Sequence, residues 1–315
     1  MSTPEKVPEL VGSVTELWRF PVKSMRGEWV DALDVTPAGI AGDRAYGIID
    51  VETGKVVSAK HPRRWPELLH CRAVFTAEPA PGAPPPPARI ELADGTEVTT
   101  DAPDVDAVLS RFFGRDVHLT MAAPKDYTIA EYHPDVADLN PQGDRDVVVE
   151  QVLGSAFFNA IGMPSAVPEG SLVDLFPISV LTTSTLRHFS ELQPDSQWDL
   201  RRFRMNVIIQ TPQRGLAEDA WTGNLMLIGG AALIAAIPTP RCVMANLAQE
   251  DLQRDSQILK TIARHNQRDL AGAGNYPCLG IYAIPGQPGT VRAGDEVRLA
   301  PGDFSLAIPP ALVTT

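Results

Sequence analysis

Thiols are scarce in this chain. Its 315 residues include three cysteines, Cys71, Cys242 and Cys278, odd in number and far apart, with no Cys-x-x-Cys. A disulfide framework needs paired cysteines and a structural zinc site needs closely spaced ones, so neither fits. A reducing cytoplasm suits this pattern. Excess positive charge is also lacking: the net charge is −12. Binding duplex phosphates takes a basic face, which argues against a nucleic-acid partner but not against a local basic pocket for a small anion. No apolar run reaches the roughly 18 residues that span a bilayer, so no membrane partner is expected. The opening "MSTPEKVPEL" lacks the apolar core of a secretory signal. Nucleotide motifs fail too. "ETGKV" lacks the first glycine and the hydroxyl residue of a P-loop, and "AGAGNY" lacks the third glycine of a dinucleotide fingerprint. There is no Gly-x-Ser-x-Gly and no His-Glu-x-x-His. The six histidines (61, 70, 118, 133, 188 and 265) show no ligand spacing and read as surface or structural residues.

What is present is a soluble globular composition, 44% hydrophobic and 21% charged. The length suggests roughly two domains of about 150 residues each. Short strands dominate. "VTELWRF" (14–20), "RAYGIID" (44–50) and "KVVSA" (55–59) read as strands, and "ARIEL" and "EVTT" flank a turn at 93–96. The proline-rich 78–89 is a loop, since proline cannot join a central strand. "LMLIGGAALIAAI" is broken by Gly229 and Gly230 and reads as a hairpin. "RMNVIIQ", "CLGIYAI" and "TVRAGDEVRLA" add further strands. Helices are expected around 103–114, with Asp104 capping its start and Gly114 its end, and over 183–192 and 255–269. The polar passage after residue 120 reads as a loose boundary or an insertion. Many short strands and few helices point to an α+β, mostly β architecture.

The chemistry-bearing residues are basic groups at strand ends: Lys23, Arg44, Arg204, and Arg241 beside Cys242. Each alone reads most simply as a solvated surface charge. Lys23 with Ser24 after a strand suits a phosphate. In "IPTPRCVMAN" (237–246), an arginine next to a cysteine is expected to lower the thiol pKa and keep a thiolate available. That thiol reads as a buried structural residue, a nucleophile or a ligand for a soft transition metal.

"WRFPVKSMRGE", "GIAGDRAYGIIDVETGKVVSAK", "RRFRMNVII", "LAEDAWTGNLMLIG", "PRC" and "PGTVRAGDEVRL" follow one another in an order that resembles MOSC-domain proteins. The branch that they look most like contains the mitochondrial amidoxime-reducing component and its bacterial relatives. The resemblance runs from about residue 13 to 300 and implies an N-terminal β-barrel domain over 13–125 and a MOSC β-barrel domain over 126–300. It implies a molybdenum–molybdopterin cofactor, with Cys242 as the thiolate on the metal and the catalytic residue. Cofactor contacts would come from Lys23, Ser24, Asp43–Arg44, Arg204, Asn206 and Arg241, and more weakly from Asp174 and Tyr282. The implied activity is an oxidoreductase reducing N-hydroxylated or N-oxide small molecules, with electrons from a separate flavin- or iron–sulfur-containing donor protein. A non-catalytic cofactor carrier or sulfur-transfer protein is the alternative, and a β-barrel binding protein with an inert cysteine is a third. The sequence departs from the resemblance at Pro240, where eukaryotic members have serine, and at Cys278, which reads as core. It also shows no sign of the mitochondrial members' membrane anchor.

Overall fold

The computed structural model describes residues 7–270 and 272–302. At its centre a ring of strands closes on itself. In chain order these are β1 (Glu9–Arg19), β2 (Ile178–Thr182), β3 (Val207–Gln210), β4 (Leu225–Ile228), β5 (Ala231–Pro240), β6 (Asn275–Gln287) and β7 (Glu296–Ala300). Around the ring the order is β2–β3–β1–β7–β4–β5–β6, and β6 pairs back onto β2. All neighbours are antiparallel except β2 and β3. Closure removes the free edges that an open sheet would expose.

The sequence explains the ring locally. Gly229, at φ +55, takes the first central position of the two-residue turn between β4 and β5, a left-handed conformation that glycine enters without steric cost. In β1 the buried residues Val11, Val14 and Leu17 recur every third position rather than every second. Register shifts at Leu10/Gly12 and Val14/Glu16 insert an extra residue each time, so strict alternation is broken while one face still points inward. There these side chains meet Val180, Ile209, Met226, Leu233, Ile281 and Val297. Each such burial is worth about 1.5–3 kcal/mol.

A second core lies between β1 and β2 in sequence. It holds the pair Gly47–Asp50 and Val117–Thr120, the sheet Arg72–Phe75, Ala88–Glu91 and Glu97–Thr99, and helix α1 (Val105–Phe113). Ile48, Trp65, Leu68, Ala73, Ile90 and Leu109 pack together there. Three more helices, α2 (Gly154–Ala160), α3 (Thr183–Leu192) and α4 (Gln257–His265), complete an α+β, mostly β molecule among the described residues.

Four expectations change. Residues 55–59 form no strand. Val56 makes one isolated bridge to Ile49 and sends its N–H to Thr128 O, so this segment is wedged between two strands rather than paired along one. Asp104 makes no capping bond with its side chain, although Gly114 ends α1 at φ +63 as expected. Helix α4 stops at His265, and Gln267–Asp269 pairs with β6. The polar passage after residue 120 contains an ordered hairpin, Thr128–His133 against Val147–Val152.

Candidate functional site

A cavity of about 630 Å³ opens where β5 ends, between the ring, the second core and the 128–152 hairpin. The route of β5 explains its position. Beyond Ile234, β5 has lost β4 as a partner, and Pro238 and Pro240 fall at register irregularities against β6. Proline withholds an N–H, which is tolerated only where a ladder is broken or one-sided. The chain then leaves the ring, and Arg241 and Cys242 line the cavity before a single 3-10 turn, Val243–Asn246.

Cys242 is half-buried. Enclosure pushes its thiol pKa up, Lys60 works against that, and Glu131 adds to it. Arg241 lowers the thiol pKa as expected, but least of these effects, so the expected net lowering becomes a net rise. The Arg241 guanidinium turns to Phe203 O and to Met205 Sδ at 3.4 Å and lies over the Phe203 ring. It is therefore engaged with the wall rather than with the neighbouring thiol.

Arg44 and Arg204 share one aromatic platform, with guanidinium carbons 4.7 and 4.2 Å from the Phe20 ring centre. Arg44 pairs with Asp43, which also accepts the Phe20 N–H. Arg204 bonds Met25 O and has no carboxylate of its own. Burial and the Arg44 charge pull the Arg204 guanidinium down to about 9, so it remains a cation at neutral pH. Both arginines have positive φ (+49 and +54), as does Ser24 at +65. Such backbone costs about 1–3 kcal/mol per residue and clusters at binding sites. Asp174 lies between two ammonium groups, Lys23 and Lys60, the latter at 3.0 Å. Burial opposes its charge, but the two lysines outweigh burial and hold the carboxyl well below the usual range. Burial lowers Lys60 in turn, yet Asp174 and Glu131 carry it well above its ordinary value.

Of the residues expected at a site, Arg44, Asp174, Arg204, Arg241, Cys242 and Tyr282 line this one cavity. Tyr282 stacks on Phe176 with ring centres 5.3 Å apart. Lys23, Ser24 and Asn206 support the wall instead. Lys23 binds Asp174 and Leu172 O, and Ser24 Oγ accepts the Ala59 N–H beside Lys60. Asn206 is committed to Ser179 and to Trp18 O. Sequence reasoning missed Lys60 and Glu131, which come from separate segments with no shared spacing. Thr239 stands one residue before Pro240 and lines the cavity, and its buried hydroxyl has no hydrogen-bond partner among the described residues. Among the described residues no group of three or more His, Cys, Asp or Glu is placed to hold a metal ion. No helix among them is long and apolar enough to cross a membrane.

Comparison with known proteins agrees with this layout. Residues 11–115 match the MOSC N-terminal beta barrel domain and residues 169–298 match the MOSC domain. The chain is 24% identical over 301 residues to mitochondrial amidoxime reducing component 2 of Bos taurus, covering 91% of this chain and 83% of that protein. It is 23% identical over 314 residues to mitochondrial amidoxime-reducing component 1 of Homo sapiens, covering 92% and 83%. Among solved structures, the YUAD protein from Bacillus subtilis aligns over 93% of this chain and 98% of its own, at 12% identity and a TM-score of 0.40. With the N-terminal barrel domain and the MOSC domain both present and in order, the chain is a MOSC-domain protein.

Proposed function

We propose that this protein is a molybdenum-cofactor-dependent oxidoreductase that reduces N-hydroxylated or N-oxide compounds with electrons from a separate donor protein. The relatives' names supply the reaction class. The cavity supports the fit of the cofactor. One observation carries the reading: a lone thiol, Cys242, lines a cavity whose wall also carries the cations Arg44, Lys60, Arg204 and Arg241. Two arginines on one ring repel each other, and an anion between them relieves that repulsion. A single thiol suits a metal that arrives with most of its ligands already in place.

When bound, a molybdenum–molybdopterin group supplies two-electron oxo-transfer chemistry. The chain's own part is to bind and orient. Cys242 Sγ would be the metal ligand. Arg44 and Arg204 would hold the phosphate through charge-assisted hydrogen bonds. Tyr282 would meet the polar edges, with Thr239 packed beside the thiol, and Lys23, Ser24 and Asn206 fix the wall behind. Reduction of an N–OH group consumes two electrons and two protons and yields N–H and water. Buried, unpaired Cys71 and Cys278 suit a reducing cytoplasm.

The test uses purified protein, analysed for metal and for pterin fluorescence. A reduced viologen dye should support turnover of a hydroxylamine-type substrate, and NADH alone should not. Robust turnover with NADH alone would mean a missed cofactor site. Pterin bound without turnover on any N-oxygenated compound moves the assignment to a cofactor carrier.

A further inference from the structure

The 128–152 hairpin carries titratable groups that the cofactor reading does not use. Glu131 and His133 stand two apart on one strand and so share a face, and both line the cavity. They are 8% and 6% exposed. Tyr132 N–H donates to Lys60 O at 2.8 Å, which ties this strand to the segment bearing Lys60. Glu131 Oε2 lies 3.4 Å from Lys60 Nζ, and its Oε1 lies 3.9 Å from His133 Nε2. On the far side of the ring, His133 Nδ1 is 2.8 Å from Asn140 Nδ2 and 3.3 Å from Asp144 Oδ2. The Asp144 side chain is 31% exposed.

The orientation of Asn140 makes this more than an ion cluster. Its Oδ1 accepts the Asp144 N–H at 3.1 Å, so its Nδ2 must face His133 and Asp144 Oδ2. His133 Nδ1 therefore has two neighbours of opposite kind. The amide donor suits an unprotonated Nδ1, and the carboxylate acceptor suits a protonated one. The same pocket accommodates both states of the ring. On the other side, Nε2 faces the carboxylate of Glu131, which Lys60 holds against the cavity wall. Tyr276 faces the group from β6, where burial and then the charges of Asp144 and Glu131 push its phenol up.

We infer that Asp144, His133 and Glu131 form a proton route from the protein surface to the cavity, with Glu131 the delivery point and Lys60 and Asn140 positioning it. The inference rests on the reductase reading, because that reaction consumes two protons per turnover in a half-enclosed site. Asp144 exchanges protons with solvent and passes one to Nδ1. The ring releases the other from Nε2 to Glu131, across 3.9 Å, through a small closure or one bridging water. No electrons move along this route. They come from the donor protein.

Two measurements test it on the full chain. Nitrogen NMR of histidine-labelled protein, without cofactor, reads the two ring nitrogens of His133. Asp144→Asn should move the Nδ1 resonance and Glu131→Gln the Nε2 resonance, since each changes the group that faces that nitrogen. In cofactor-loaded protein with reduced viologen, His133→Ala should lower kcat about tenfold or more at alkaline pH, leave KM unchanged and regain rate with added imidazole. Asp144→Asn should show the same trend and serves if His133→Ala does not fold. An unaltered pH profile in both variants, or His133 ring resonances indifferent to both carboxylates, overturns the route. An inactive parent protein that holds pterin overturns the reductase reading instead, and the linked triad then stands or falls on its ring resonances.

Discussion

Arg204 concentrates three costs in one residue: a left-handed backbone, a buried charge and a like-charged neighbour. A bound anion offsets the last two. Arg204→Ala should therefore cut pterin content at least tenfold, the loss of one or more charge-assisted bonds, each worth about 1.5–3 kcal/mol. The circular dichroism melt should stay close to that of the parent. Undiminished pterin removes Arg204 from the site. Cys242→Ser should abolish dye-driven turnover while much of the pterin remains, because the arginine clamp does not depend on the thiol. Cys71→Ser and Cys278→Ser should keep most activity. Both thiols are buried and neither lines the cavity, and burial pushes that of Cys71 up to about 12. Glu218 is a separate case. It is fully buried, accepts from Thr182 and Thr185 through Oε2 at 2.5 and 2.6 Å, and leaves Oε1 without a partner. Burial raises its pKa from 4.5 to about 7. A carboxyl that holds its proton more tightly when folded loses stability as pH rises, here from about 4.5 to about 7, with no further change above. The loss is on the order of 3 kcal/mol. Thermal melts should show this decline in the parent and not in Glu218→Gln. At this scale the Arg-Cys pair was legible because it is contiguous. Lys60 and Glu131 were not, because folding brings them to that pair from two distant segments.

Among the elements, β6 carries a constraint that its sequence does not advertise. Gly280 sits in mid-strand at φ +79, and a Cβ there would lie 2.5 Å from Met205 Cε and 2.8 Å from Val180 O. Val180 belongs to β2, which pairs with β6 to close the ring. Gly280→Ala should destabilise by about 2 kcal/mol or more. The denaturation midpoint should fall with the slope unchanged. A neutral substitution would mean that this seam is not tightly closed. The hairpin of β4 and β5 was readable, since two glycines interrupt an apolar run whose partners alternate inward. The Thr128–His133 strand was missed for a physical reason. Its buried positions include Glu131 and His133, which line the cavity beside Lys60 rather than a core, so the strand reads as a polar loop. Residues 55–59 had the composition of a strand, but tertiary wedging overrode that preference.

For the whole molecule, the decisive contact is between the two ends of the ring's sequence. β1 comes before the second core, yet it lies between β3 and β7. A fragment spanning 126–302 should therefore fail to give a dispersed NMR spectrum alone, and a β1 peptide should restore it. A well-folded fragment would show that the ring tolerates a missing stave. The fold class was legible because short alternating strands and turns were abundant. The interleaving was not, since neither composition nor period records which strand neighbours which. That interleaving also sets a timetable. Glu9 pairs with Leu299, so the first stave leaves the ribosome long before its partner exists. Until then β1 has only Glu28–Val30 and β3 to pair with and its edge toward β7 stays open, and contacts this distant in sequence form slowly. The barrel is sealed only once Glu296–Ala300 has been made. The wall that carries Cys242 thus sets only after the whole ring has been made, and on the proposed function the cofactor would enter a barrel that is already closed.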